Sequence, residues 1–202
     1  MIIQFPDSLA IAKQSWGQKR NEIAFASAFG SQAQEALAPL WQTTISPPTD
    51  RDEFVGEFQA LILRLKGRQN LLALHNLGRP QPRGTMRGAM ALSGGAAQGA
   101  SSLTICASGQ GGKTLVAGDY LGIGTGVTQQ VVMVTDSATA NGSGAITVSI
   151  EPPLRNAFAS GSVVTWDKPK ALFRRSESES NWDYEDVRVG GMSLSLVEDW
   201  RV

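Results

Sequence analysis

The chain has one cysteine, Cys106, and one histidine, His75, in 202 residues. A single cysteine excludes an internal disulfide. One cysteine with one histidine cannot build a zinc site from the usual soft ligands, so no metal is expected. Long apolar runs are missing too. Nothing approaches the ~18 residues a membrane helix needs, and no membrane span is expected. The opening Met1-Ile-Ile-Gln-Phe-Pro has neither the basic start nor the apolar core of a signal peptide. The expectation is a protein made in a reducing cytosol that stays there until assembly. Net charge is also lacking: lysine plus arginine and aspartate plus glutamate each total 18. That removes any whole-protein pull towards nucleic acid or anionic membrane, and no nucleic-acid binding is expected. A chain near zero net charge tends instead to associate with itself.

Glycine is what the sequence has in excess, 22 residues of 202, against a usual share of ~7%. Many glycines mean many turns, hence many short strands. The length suits one compact domain, or one domain carrying a second as an insertion. Roughly 70% of the unfolded surface can be buried at this size, so folding needs no metal or disulfide.

Strand signals come first along the chain: Ile2 to Phe5, a partly alternating Asn21 to Gly30, and Leu37 to Ile45, which is rich in β-formers. After Pro47-Pro48 the pattern predicts one helix. Thr49 or Asp50 can cap it, and Asp52 and Glu53 sit in the first turn, where the helix dipole favours them. Phe54, Phe58, Leu61, Ile62 and Leu65 recur every three or four residues, and Gly67 is placed to end the run. Leu71 to Leu74 reads as a strand. Gly78-Arg-Pro-Gln-Pro-Arg-Gly84 then has the density of a linker. Beyond it come short strands at 86–92, 102–107, 120–123, 130–134, 145–150 and 163–166, each bounded by glycine, asparagine or proline. Half a dozen strands at this spacing predict a small antiparallel barrel. Residues 135–144 read as a loop reversing at Asn141-Gly142, with positive φ there. Lys168-Pro169-Lys170 closes the block, and strand patterns return at Ala171 to Arg174 and Gly191 to Glu198. Residues 176–182 are polar and read as a solvated loop. The fold class expected is α+β, mostly β. A discontinuous unit of residues 1–80 plus 169–202, with one amphipathic helix, is interrupted by an all-β barrel of residues 85–166.

The sharpest motif is Ala107-Ser-Gly-Gln-Gly-Gly112-Lys113-Thr114, which fits the loose phosphate-loop pattern behind a short apolar strand. That motif works only where a helix starts at the Lys-Thr and its amides face the phosphates. Here glycines at 118, 122, 124 and 126 fall where the helix body belongs, each costing about 1 kcal/mol relative to alanine. The expectation is a turn, and no nucleotide cofactor. Gly122-Ile-Gly-Thr-Gly126 lacks both the third-glycine spacing and the helix of a dinucleotide fingerprint. His75 has no partner residue at informative spacing for a catalytic base. Cys106, inside a strand, reads as a small buried hydrophobe rather than a reactive thiol. Asp119, Asp136, Glu151 and Asp167 fall at strand ends and turns, where acidic residues serve the backbone. Arg79, Arg83 and Arg87 cluster without the Phe or Tyr partners of a nucleic-acid platform. They read as solvated, or as meeting a carboxylate on a neighbouring chain. No catalytic residue is assigned, and the chain is read as a non-enzyme.

Several short stretches, in order, resemble the distal tail proteins of long-tailed bacteriophages, or a close relative in the tail tip. They are Leu40-Trp41-Gln-Thr-Thr-Ile45; the helix from Asp52-Glu-Phe to Leu65-Lys-Gly67; Leu115-Val-Ala-Gly-Asp-Tyr-Leu-Gly-Ile123; Asn141-Gly-Ser-Gly-Ala-Ile-Thr-Val148; Glu151-Pro-Pro-Leu-Arg155; Lys168-Pro-Lys-Ala-Leu-Phe-Arg174; and the closing strand with Glu198. Residues 6–36 match least. The resemblance implies a ring-forming α+β unit interrupted by a small barrel of oligonucleotide/oligosaccharide-binding type. It also implies a hexamer that joins the tail tube to the hub or receptor-binding apparatus, in the virion tail. Ring interfaces want buried aromatic anchors. Of Trp16, Trp41, Trp166, Trp182 and Trp200, the near-terminal Trp16 and Trp200 are the expected interface residues. The other reading is a carbohydrate-binding module. Its barrel would recognise the host surface through Tyr120, Trp166 or the loop Thr135–Gly144.

Overall fold

A computed structural model describes residues 1–49, 52–185 and 188–199. The elements run β1 (Ile2–Gln4), β2 (Lys13–Ser27), β3 (Gly30–Ser46), α1 (Asp52–Arg64) and β4 (Leu71–Leu74). Then follow β5 (Met90–Leu92), β6 (Ser102–Cys106), β7 (Thr114–Leu115), β8 (Tyr120–Ile123), a 3-10 turn (Gly126–Thr128), β9 (Gln130–Val134), β10 (Ala138–Thr139), β11 (Ala145–Glu151) and β12 (Val163–Thr165). The chain closes with β13 (Ala171–Arg175), β14 (Asp183–Glu185), β15 (Arg188–Gly191) and β16 (Leu194–Glu198). The protein is mostly β, with one α-helix among the described residues, an α+β fold.

Two compact units share these elements. The first comprises Met1–Gly17, Trp41–Gly78 and Lys170–Asp199. Its sheet has six strands in the order β1-β4-β13-β16-β3-β2. β1 lies parallel to β4, whereas β4–β13, β13–β16 and β16–β3 are antiparallel. Leu71 to Leu74 is an unbroken apolar run because β4 is central and all four side chains are buried. Leu71 and Ala73 cluster with Leu172 on one face, so by alternation Leu72 and Leu74 point to the other. In β16 the period is two: Leu194 and Leu196 are buried and the residues between them are not.

The helix buries Val55, Phe58, Leu61 and Ile62. Phe54 is only half-buried and Val55 takes its place on the inner face, a small rotation of the expected stripe. The helix stops at Arg64, followed by Lys66 and Gly67 in left-handed conformations (φ 49° and 62°). Asn70 secures that end, its side-chain amide donating to Arg64 O at 2.8 Å. Of the two expected caps, Asp50 lies outside the described residues.

Among the described residues, the second unit comprises Gln18–Leu40 and Arg79–Pro169. Its centre is a closed barrel, β11-β6-β5-β12-β8-β9 and back to β11, with antiparallel pairs throughout. Leu103 and Ile105 of β6, Val132 and Val134 of β9, and Ile146, Val148 and Ile150 of β11 fill the interior from alternate positions. Barrels of the oligonucleotide-binding type have five strands. This one has six, so the likeness lies in being small, antiparallel and built on alternation.

Three local expectations need correction. The stretch 135–144 is not all loop, because Ala138–Thr139 pairs with Thr114–Leu115 in a two-stranded ribbon. The strand expected at 86–92 is confined to Met90–Leu92, since Gly88 takes φ 85° and breaks the extended run. At Asn141-Gly142 the reversal is present, but the left-handed residue is Gly144 (φ 83°). A Cβ there would lie 2.1 Å from the carbonyl oxygen of Ala107. Asn141 instead supplies its side-chain oxygen to the amides of Ser143 and Ala145, both at 3.0 Å.

Candidate functional site

Lys113 and Thr114 launch no helix. Thr114 opens β7, and Lys113 N–H donates to Gln110 O at 3.1 Å, closing the expected turn. The glycine-rich segment is the turn-rich connection from β6 of the barrel to β7, held by Gly112 N–H donating to Ala140 O. Gly122 lies in β8, and Gly126 opens a 3-10 turn rather than an α-helix.

Of the acidic residues singled out, Asp119 serves the backbone, and Asp136, Glu151 and Asp167 meet side chains. The buried carboxylate of Asp119 accepts from the amides of Arg83 (2.7 Å), Gly84 (3.1 Å) and Val116 (2.8 Å). It ties the incoming linker to the barrel. Asp167 accepts from the side-chain amide of Gln81, and Glu151 pairs with Arg20 at 2.7 Å. Asp136, exposed, accepts from Thr135 Oγ1. No group of three His, Cys, Asp or Glu side chains among the described residues could hold a metal ion. Cys106 is half-buried, its thiol directed at Ala91 O at 3.5 Å, and His75 is buried.

The arginine cluster is tied to the main chain. Arg79 donates to Gly118 O and Arg83 to Ala117 O. Arg87 donates to the carbonyls of Gly84 and Met86 (2.7 Å each) and Pro82 (2.9 Å). These guanidiniums bind main-chain carbonyls of their own unit, with Arg79 and Arg83 exposed and Arg87 half-buried. Their five planar donors suit several carbonyls converging at a turn.

Of the expected interface residues, Trp16 is half-buried in its own sheet unit. It lies 5.8 Å from Trp41 and edge-on to Phe173 at 5.4 Å. Trp200 lies outside the described residues. Tyr120 is only 9% exposed, too enclosed for its ring to stack on a sugar, because all of β8 is buried. Trp166 is the half-buried aromatic left at the barrel surface. Its indole N–H donates to Gly88 O at 2.8 Å, with the Arg87 guanidinium 5.0 Å over the ring.

The unexplained feature is the hairpin of β2 and β3. Its strands, 15 and 17 residues, far outrun the three to five residues of the sheet's other strands. Every residue from Glu22 to Glu35 is exposed, so neither face of this ribbon is covered. The side chains of Ile23 (54% exposed) and Phe25 (64%) share a face by alternation, and Phe29 at the turn is 101% exposed. Residues 23–34 contain no charged side chain. A two-stranded ribbon alone in water is marginal, and natural edges left open are normally guarded by charge or proline. This tip has no such guard. The signal in the sequence was the charge gap between Glu22 and Glu35, with isoleucine and phenylalanine two residues apart inside it. Length alone hid it, since a free-standing ribbon and a sheet strand share the same period.

No helix among the described residues is long and apolar enough to cross a membrane. No protein-family model matches the chain, and comparison with curated proteins likewise finds no match.

Proposed function

We propose that this chain is a non-enzymatic structural protein that assembles into a ring in the distal tail of a long-tailed bacteriophage. It would join the tail tube to the hub or receptor-binding apparatus, with the hexamer as the expected state. The observation that carries the reading is the uncovered ribbon of residues 22–35, uncharged from 23 to 34. Apolar side chains held out on an uncovered hairpin gain free energy only when a partner covers them. A partner met repeatedly by identical copies, through two different surfaces, produces a closed ring or a filament. The α+β unit with a small barrel, and the resemblance that runs from Leu40 to Glu198, support the placement in the tail.

The test is mass photometry and negative-stain electron microscopy at micromolar concentration. The full chain is compared with a variant whose residues 22–35 are replaced by a short glycine-serine turn. Rings are expected for the first and monomers for the second, with equal circular dichroism. A full-length chain that stays monomeric, and also fails to bind tail-tube and hub proteins, defeats the proposal. The carbohydrate reading retains Trp166 as its barrel aromatic. Glycan-array binding by the full chain, lost in Trp166→Ala, would favour it instead.

A further inference from the structure

The barrel unit carries an open cleft of about 460 Å³ over its β5–β12 pair. Its floor is made of small or apolar side chains, Gly88, Ala89, Ala91 and Val163, and Trp166 walls one side. Val163 and Ala91 face each other across the two strands, and Val163 is 51% exposed. Glycine and alanine leave the hollow that larger residues would fill. The Trp166 ring is fixed before anything binds, by its hydrogen bond to Gly88 O and by the stacked Arg87. Arg87 is itself anchored on three carbonyls. The carboxylate at the rim, Asp167, already accepts from Gln81. The cleft is therefore rigid, mostly apolar and without a charge seeking a partner.

Those are the properties the hairpin tip requires. Residues 23–34 are uncharged, and Phe29 projects wholly into solvent. We infer that the tip, Phe29 foremost, seats in the Trp166-walled cleft of a second copy of the chain. The inference rests on the ring reading and names the surfaces that would close the ring. Three arguments lead to this occupant. Phe29 is fully exposed in its own chain, so the cleft that receives it belongs to another copy. An uncharged ribbon meets an apolar cleft without stranding any charge. Size agrees as well: about 150 Å³ suffices for benzene, so the cleft admits a phenyl ring. On the cleft side Trp166 is held before docking, which limits the entropy lost there. Knob and cleft are different surfaces, so each copy gives one and receives one.

The experiment uses two full-length variants at exposed positions, Phe29→Ser and Val163→Lys, each checked for unchanged melting. Losing a central aromatic, or placing an ammonium in an apolar cleft, weakens each contact on the order of ten- to hundred-fold. Both variants should be monomeric where the wild type assembles, and Val163→Thr should assemble normally. An equimolar mixture of the two should give dimers and nothing larger. There the intact tip of Val163→Lys fills the intact cleft of Phe29→Ser, and the remaining tip and cleft are both spoiled. If Val163→Lys assembles like wild type, the cleft is not the receptor, although the ring reading stands. A wild type that never assembles overturns the ring reading, and this inference with it.

Discussion

Removing the Asp119 carboxylate tests how the linker is bound to the barrel. Two of the amides that donate to it, Arg83 and Val116, are partly buried, and the third, Gly84, is buried. A hydrogen bond to a charged acceptor contributes about 1.5–3 kcal/mol net. Three such bonds set an upper bound of roughly 4.5–9 kcal/mol for Asp119→Ala. Water can reach the two partly buried donors once the side chain is gone, which leaves Gly84 N–H bearing the full penalty. The expected loss is therefore about 3–5 kcal/mol. Asp119→Asn keeps one acceptor oxygen but turns an NH2 towards an N–H, so it should recover only part of that loss. Exposed Asp136→Ala is the control, within about 0.5 kcal/mol of wild type. For a unit near a hundred residues, each kcal/mol moves the melting temperature by about 4–8 °C, so Asp119→Ala should melt at least about 12 °C lower. Hydrogen exchange supplies the local readout: the Gly84 and Val116 amides should exchange faster than the barrel strands do. If their exchange and the melting temperature both match wild type, the latch is not structural and the argument is wrong.

Gly144→Ala should cost about 3 kcal/mol or more, since a Cβ at φ 83° meets Ala107 O at 2.1 Å. Gly142→Ala has nothing within 4 Å and should be neutral in the same denaturant titration. The Arg175 guanidinium is held below its usual pKa, chiefly by burial with Glu177 opposing, and its Nε has no hydrogen-bond partner. Arg175→Met should therefore change stability by no more than about 1 kcal/mol by thermal melting, because removing an expensive buried cation offsets the lost bonds to Ser180 and Glu179. Since Lys113 enters a turn, ATP with magnesium at a hundred times any meaningful Kd should leave the melting temperature unmoved. Bound nucleotide would raise stability by about 2.7 kcal/mol.

Much of the fold is legible residue by residue. β4, β8 and β9 fall on their short apolar runs, with Asn70 before β4 and Gly124 after β8, and the helix starts and stops near its charged first and last turns. The barrel follows from strands of period two that no helical period contests. The strand expected at 86–92 falls short because one residue, Gly88, takes a backbone angle that strand propensity does not foresee. The reversal at 141–144 was placed on the right residues but on the wrong glycine. The side chain of Asn141 takes over the turning, and contact with Ala107 fixes the demand at Gly144.

The interaction surface divides the same way. That residues 23–34 lack charge is a fact of sequence; that nothing in the chain covers them is a fact of tertiary structure. Alternation gives a strand two faces, but what lies against each face is decided by segments far away along the chain. Arg87 and Trp166, 79 positions apart, show this most plainly, since their stacking depends on a barrel that closes between them. By itself the sequence determined the element types, the one helix and the turn at Lys113, because those depend on neighbours within a few residues. Only the tertiary structure decided which aromatics are buried, which arginines are bound to carbonyls and which strands reach beyond the sheet, because each is set by long-range pairing.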